Sequence, residues 1–328
     1  MGGVELKVLI TIISVVFIGL STRVNGLAEN YYGTTCPGLE KMVRQVVVQK
    51  INESVFTVPS TLRLYFHDCA VSGCDASVLI KSTSSNKAER DHPDNLSLSA
   101  DGFDTVIKAK AAVDAVPACK NKISCADILT IATRDAINLA GGPYYKVELG
   151  RYDSLTSTAD SVNGKLPQPS DGLDRLNSVF TALGLTQTDM VALSGAHTVG
   201  FAHCSKFSNR LYGFSANNSV DPSLNKDYAT QLQAKCPQGG PDNGVDMDPV
   251  TSKRFDNWYY ANLKQGKGLF TSDQVLYADS RSRPTVQTWS TDITGFYSAF
   301  SSAMIKLGRV GVKNANNGNL RIRCDAFN

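Results

Sequence analysis

The stretch from Arg63 to Ser77, RLYFHDCAVSGCDAS, decides how the rest of this chain is read. If it begins as a helix, Arg63 and His67 stand one turn apart on one face, with Asp68 roughly a quarter-turn away. Cys69 and Cys74 then bracket a short loop around Gly73. A permanently charged, fork-shaped donor beside a titratable imidazole can serve as an acid–base pair. Taken alone, such a spacing more often marks a surface arginine and a satisfied core histidine. The flanking sequence has to decide.

The chain has 328 residues, 42% of them hydrophobic and 19% charged, enough for a sizeable core in one large or two moderate domains. Lys7 precedes an apolar run, VLITIISVVFIGL (Val8 to Leu20), followed by polar STRVN and the small residues Gly26 and Ala28. That run is short for a membrane span and has the layout of a secretory peptide. We expect residues 1–28 to be the signal, cleaved after Gly26 or Ala28, and 29–328 to form one exported domain with no membrane partner. Removing Lys7, Arg23 and Glu5 takes the 33 basic and 30 acidic residues to 31 and 29, so net charge falls from +3 to +2. With no polybasic run, nucleic acid is not an expected partner.

All 8 cysteines follow the expected signal. An even count in an exported chain implies four disulfides, with about a hundred pairings open from sequence alone. Zinc is the competing use, but the C-x₄-C and C-x₅-C spacings have no partner histidines, and the chain holds only 4 His. Sequons at Asn52, Asn95 and Asn217 are consistent with export and a glycoprotein.

Helical periodicity dominates. GLEKMVRQVVVQKI follows Pro37, and Phe103, Val106, Ile107 and Ala111 keep one face. Ser124-x-x-Asp127 has the form of a capping box before ILTIATRDAINLA, which stops at Gly141-Gly142. Phe296, Phe300, Ala303, Met304 and Leu307 line a late helix ended by Gly308 and Gly311. Strand signals are few, YYKVEL (144–149) being the best. No internal repeat or low-complexity segment is present, and long Pro/Gly/Asp-rich loops run near 153–171 and 237–249. These signals predict a mostly α-helical globule.

Two further stretches carry chemistry. MVALSGAHTVG places His197 at the end of a predicted helix, where a core histidine is the commoner outcome. It lacks the G-x-S-x-G spacing of a hydrolase nucleophile, and neither HExxH nor C-x-x-C-H occurs in the chain. DPVTSKRFDNWYYANL sets Asp248, Thr251 and Asp256 at short spacing, which suits a hard cation such as calcium as well as it suits an acidic surface turn. The loop holding Asp68, Gly73, Asp75 and Ser77 has the same flavour.

Together these motifs resemble the plant secretory (class III) haem peroxidases. RLYFHDCAVSGCDAS and ALSGAHTVG occur in order, with eight cysteines at family-like spacings, and the likeness runs from YYGTTCP to RIRC. The resemblance implies a mostly α fold whose helical distal and proximal halves sandwich one b-type haem. It implies a peroxidase that oxidises phenolic donors one electron at a time at the expense of hydrogen peroxide. By the same resemblance, His67 is the distal base and Arg63 stabilises charge on the departing oxygen. Phe66 screens the haem, and Asn95 accepts the Nδ1–H of His67. Glu89 ties this region to a distal calcium site through water. His197 is the axial iron ligand and Asp273, in SDQVL, its carboxylate partner. Two calcium ions are implied: one on Asp68, Val71, Gly73, Asp75 and Ser77, the other on Thr198, Asp248, Thr251, Arg254 and Asp256. The implied bridges are Cys36–Cys119, Cys69–Cys74, Cys125–Cys324 and Cys204–Cys236. Pro167 lines the donor edge.

The chain departs from the family pattern at Tyr145 and Tyr152, in GGPYYKVELGRYD, and at Ala70. The nearest tryptophan to Met247 is Trp258, so a tryptophan radical is not expected at that place. A non-catalytic extracellular haem- or calcium-binding cell-wall protein is the alternative, and it would call for loss of Arg63, His67 or His197, all of which are present. A secreted hydrolase lacks a nucleophile motif. No long extension that would suggest vacuolar sorting follows Cys324, so an enzyme of the apoplast or cell wall is expected; a monomer is expected, with wall polymers among its partners.

Overall fold

A computed structural model describes residues 26–328. All but the last three residues of the expected signal therefore lie outside the described residues. Four helices, α1 (Leu39–Glu53), α2 (Thr57–Val71), α3 (Ala100–Asp114) and α4 (Cys125–Leu139), pack on one another in the N-terminal half. Every residue of α4 from Cys125 to Ile137 is buried, its charged members Asp127, Arg134 and Asp135 included, because each is ion-paired within the protein.

The start of α4 departs from the sequence expectation. Ser124 does accept the Asp127 amide at 3.1 Å, but the Asp127 carboxylate does not reach back to complete a box. It takes the Tyr32 hydroxyl at 2.8 Å, the Gly150 amide at 2.7 Å and Arg151 at 2.9 Å. The free amides of Cys125 and Ala126 are satisfied instead by Asp153, at 3.1 and 2.9 Å.

The C-terminal half contains α5 (Leu173–Ala182), α6 (Gln187–Ser194), the single turn α7 (Ser208–Leu211), α8 (Lys226–Lys235), α9 (Trp258–Lys264), α10 (Thr271–Ala278), α11 (Arg283–Trp289) and α12 (Ile293–Leu307). A reciprocal Thr186–Asp189 capping box opens α6. The α12 face predicted from sequence, Phe296, Phe300, Ala303, Met304 and Leu307, is buried, and α12 packs on α6. The mostly α expectation holds.

Among the described residues the only sheet pairs β1 (Phe201–His203) antiparallel with β2 (Gly244–Asp246), Phe201 opposite Asp246. YYKVEL is not a strand. It is extended, and Tyr145, Val147 and Leu149 are buried while Tyr144 is exposed, but it gains only one bridge, Leu149 to Ala28. The alternation reports a one-sided surface against helices, since no neighbouring strand is there to pair with it.

Four disulfides join Cys36–Cys119, Cys69–Cys74, Cys125–Cys324 and Cys204–Cys236, spanning 83, 5, 199 and 32 residues. One large apolar cluster runs through both halves, and a smaller one gathers Phe207, Leu211, Tyr228, Leu232, Val245 and Met247 beside the sheet. Tyr145 and Ala70 are both absorbed into core packing.

Candidate functional site

The distal side is built on α2. Thr57, Thr61, Leu64, Tyr65 and Asp68 face the protein, and Arg63 points out toward the loop after the turn Glu89–Asp91. Its guanidinium donates to the Ser97 carbonyl at 2.9 Å and the Ser97 hydroxyl at 3.0 Å. One turn on, His67 is 8% exposed, with Nδ1 2.7 Å from Asn95 Oδ1. The Asn95 amide nitrogen donates to the Glu89 carbonyl at 2.8 Å, which fixes the amide orientation. An oxygen therefore faces Nδ1, so Nδ1 carries the proton and Nε2 keeps its lone pair. Burial and then the Arg63 charge press the His67 pKa down to about 3, so the imidazole is neutral near pH 7. Phe66 stacks on Phe180 of α5, centroids 5.7 Å apart.

Behind α2, Asp68 accepts the Ala76 amide at 2.9 Å and Asp75 accepts the Ser77 amide at 3.1 Å. Both carboxyls are raised by burial, and Asp68 also by the Asp75 charge. One oxygen of Asp75 is buried with no hydrogen-bond partner, its nearest cation Lys313 at 3.5 Å. The loop is tightly held: Ala76 takes a left-handed φ of 59°, and a Cβ on Gly73 (φ 113°) would meet Gly311 at 2.6 Å. Ser77, one of the expected distal ligands, donates to Glu89 at 3.0 Å. Burial and then Asp75 push Glu89 up to about 8.

On the proximal side, His197 sits in a short 3-10 turn, Gly195–Thr198, after α6. That turn lies so close to α9 and α12 that a Cβ on Gly195 would meet the Tyr260 hydroxyl at 2.6 Å. His197 Nδ1 is 2.7 Å from Asp273 Oδ1 on α10. Asp273 is 1% exposed. Burial works against its charge, but His197, the Phe270 amide and the Tyr259 hydroxyl outweigh it and hold the carboxyl below its usual range. Arg210 steadies this segment by donating to the Leu269 and Phe270 carbonyls at 2.9 and 3.1 Å. Neither His67 nor His197 hydrogen-bonds through Nε2 among the described residues. Two imidazoles with committed Nδ1 and free Nε2, one beside an arginine and one backed by a buried carboxylate, fit a haem between them.

Next to His197, Thr198 Oγ1 lies 3.4 Å from an oxygen of each of Asp248, Arg254 and Asp256, and Thr251 Oγ1 lies 3.2 and 3.1 Å from Asp248 and Asp256. Hydroxyls, a carbonyl and carboxylates converging in this way suit calcium's oxygen preference. Each of the two expected ligand sets holds two carboxylates. No group of three or more His, Cys, Asp or Glu with metal-binding potential is found among the described residues.

The two sides are joined. Phe56, just before α2, meets Phe201 at 5.2 Å, and Gly200 abuts Pro59. In the loop holding half-buried Pro167, Gln168 donates to Asp94 at 3.2 Å, while the Pro169 carbonyl accepts the Ser272 amide at 3.0 Å. Sequence reasoning missed Tyr259, whose hydroxyl donates to Asp273 at 2.9 Å, and Arg210. In YYANL the tyrosine reads as one more core aromatic, and only the fold reveals its partner.

Residues 43–292 match the family model described as Peroxidase. Peroxidase 51 of Arabidopsis thaliana is 60% identical over 321 residues, 98% of each chain. Peroxidase 50 of the same plant is 60% identical, with 92% of each chain covered, and Peroxidase 73 is 56% identical, with 99% of each covered.

Proposed function

The chain belongs to the plant secretory haem peroxidase family, and from that premise we propose how its own residues divide the work. It is a peroxidase, an oxidoreductase that reduces hydrogen peroxide while oxidising donor molecules. Haem supplies the redox-active iron, and His197 Nε2 would hold it. His67 Nε2 takes a proton from hydrogen peroxide and returns it to the departing oxygen, a transfer typically worth about 10²–10⁴-fold. Arg63 offsets negative charge on that oxygen. Asn95 holds the base in its working tautomer, Phe66 screens the cleft, and Asp273 raises the basicity of His197. The observation that carries this division is the pair of free Nε2 atoms, one imidazole held by an amide and the other by a carboxylate.

Phenols are the donors in this reading, admitted beside Pro167. Two calcium ions, one on each oxygen set, steady the backbone next to each histidine, with Glu89 tying the distal set to Asn95. The enzyme is a secreted monomer of the apoplast or cell wall. Leu27 is 3% exposed and Ala28 bonds Leu149 in both directions at 2.9 and 3.0 Å, which supports signal cleavage after Gly26 over Ala28. N-terminal sequencing of the exported protein decides between them. Asn52 and Asn217 are exposed and Asn95 is 2% exposed, so the first two are the glycan acceptors.

An absorbance spectrum tests the core of the proposal. The purified protein should show a Soret band that shifts on adding peroxide and returns on adding a phenol. A Soret band indifferent to peroxide would favour a passive haem carrier.

A further inference from the structure

Asp273 Oδ1 is shared. It lies 2.7 Å from His197 Nδ1 and 2.9 Å from the Tyr259 hydroxyl, while Oδ2 takes the Phe270 amide at 2.9 Å. Tyr259 opens α9 beside Trp258, is 3% exposed, and sets its ring edge-on to His197 with centroids 6.1 Å apart. Burial first, and then the Asp273 charge, raise the Tyr259 hydroxyl well above its usual range, so it stays protonated and donates.

A carboxylate oxygen that already accepts one charge-assisted hydrogen bond accepts a second less strongly. We propose that Tyr259 is a positioning residue that limits how far Asp273 draws the Nδ1 proton of His197, and so sets the basicity of His197 Nε2. This rests on the reading of His197 as the axial ligand. Without the hydroxyl, the His197–Asp273 bond strengthens and Nε2 becomes a stronger donor, favouring oxidised over reduced iron. Tyr260 provides a control. It is equally buried, but its hydroxyl donates to the Val191 carbonyl at 2.9 Å and does not bond to Asp273.

The test uses the full haem-loaded chain as Tyr259→Phe, Asp273→Asn, the double variant and Tyr260→Phe. The readouts are the ferric/ferrous midpoint potential and the iron–imidazole stretching frequency of the ferrous protein. Tyr259→Phe should lower the ferrous-to-ferric ratio at fixed potential by up to about tenfold, about 59 mV for one electron, and raise the stretching frequency. Asp273→Asn should move both the opposite way, the double variant should match Asp273→Asn, and Tyr260→Phe should match wild type. Site-specific 3-fluorotyrosine at 259, a more acidic donor of the same shape, should shift both opposite to Tyr259→Phe, and it serves if the phenylalanine variant does not fold. Wild-type values in Tyr259→Phe, an equal shift in Tyr260→Phe, or a shift that survives in the Asp273→Asn background would overturn the inference. If Asp273→Asn itself changes neither readout, the reading of the proximal side fails and this inference falls with it. If Asp273→Asn shifts both and Tyr259→Phe shifts neither, this inference alone is lost.

Discussion

His67 and His197 are the same side chain, held by the same ring nitrogen at the same 2.7 Å, yet they are set for opposite work. The acceptor on His67 is a neutral amide, whose own nitrogen is pinned to the Glu89 carbonyl. The acceptor on His197 is a buried carboxylate with two further donors. An amide orients an imidazole without feeding charge into it, which leaves a base that can take and return a proton. A carboxylate pulls on the Nδ1 proton and makes the opposite nitrogen a stronger ligand. One atom's difference, nitrogen for oxygen, separates the two roles. The supporting frames differ as well. His67 rides within a regular helix, whereas His197 sits in a 3-10 turn followed closely by the β1–β2 pair.

The largest effect should come from removing the distal base. His67→Leu should bind haem and react with peroxide at least about 10²–10⁴-fold more slowly. Stopped-flow mixing with peroxide measures this, and near-normal formation of the oxidised enzyme would end the assignment.

Asn95→Asp makes the distal partner resemble the proximal one, and so tests the comparison most directly. A carboxylate beside His67 favours the imidazolium, so its pKa rises and the base form is present only at higher pH. The peroxide reaction should fall by about 10–100-fold near pH 6 and recover as pH rises. In the wild type, with His67 pressed down to about 3, the base form prevails above that value. Its rate should stay level from pH 8 to about 5 and decline only on further acidification. Matching pH profiles for the two proteins would break the argument that the partner's charge decides the role.

Calcium removal should act more mildly and on both sides. Chelation should release about two ions per chain and lower activity several-fold with the disulfides intact, because the oxygen sets flank both histidines. Elemental analysis of active enzyme finding no calcium would refute this. The smallest effect on turnover is expected from Asp273→Asn, which should keep haem and raise the iron's reduction potential, as read by redox titration. An unchanged potential would mean the carboxylate does not govern His197.

Much of this contrast is legible in the amino-acid sequence. The Arg63–His67 spacing and the partners Asn95 and Asp273 follow from motifs that resemble a known family, and the apolar faces of α4 and α12 follow from periodicity alone. What escapes are contacts whose cause lies in tertiary packing. β1 and β2 are three residues each, too short for alternation to register. YYKVEL alternates because one side packs on helices, a pattern identical to that of a paired strand. Asp127 has the spacing of a capping residue, but Tyr32 and Arg151 claim its carboxylate from sequence separations of 95 and 24. Tyr259 reaches Asp273 across 14 residues, with nothing in the local sequence to distinguish it from Tyr260.

The disulfides carry a consequence for how the molecule is made. Cys36–Cys119 and Cys69–Cys74 lie within the first 119 residues, whereas Cys125–Cys324 closes a ring of chain that includes both His197 and Asp273. In a polypeptide delivered N-terminus first into an oxidising compartment, the segment bearing Arg63, His67 and Asn95 can be closed by these two bridges without any residue beyond Cys119. Cys125, the first residue of α4, has its partner only once Cys324 is made. A chain interrupted anywhere between residues 125 and 324 therefore carries Cys125 without its native partner, the chemical sign that its second half is incomplete.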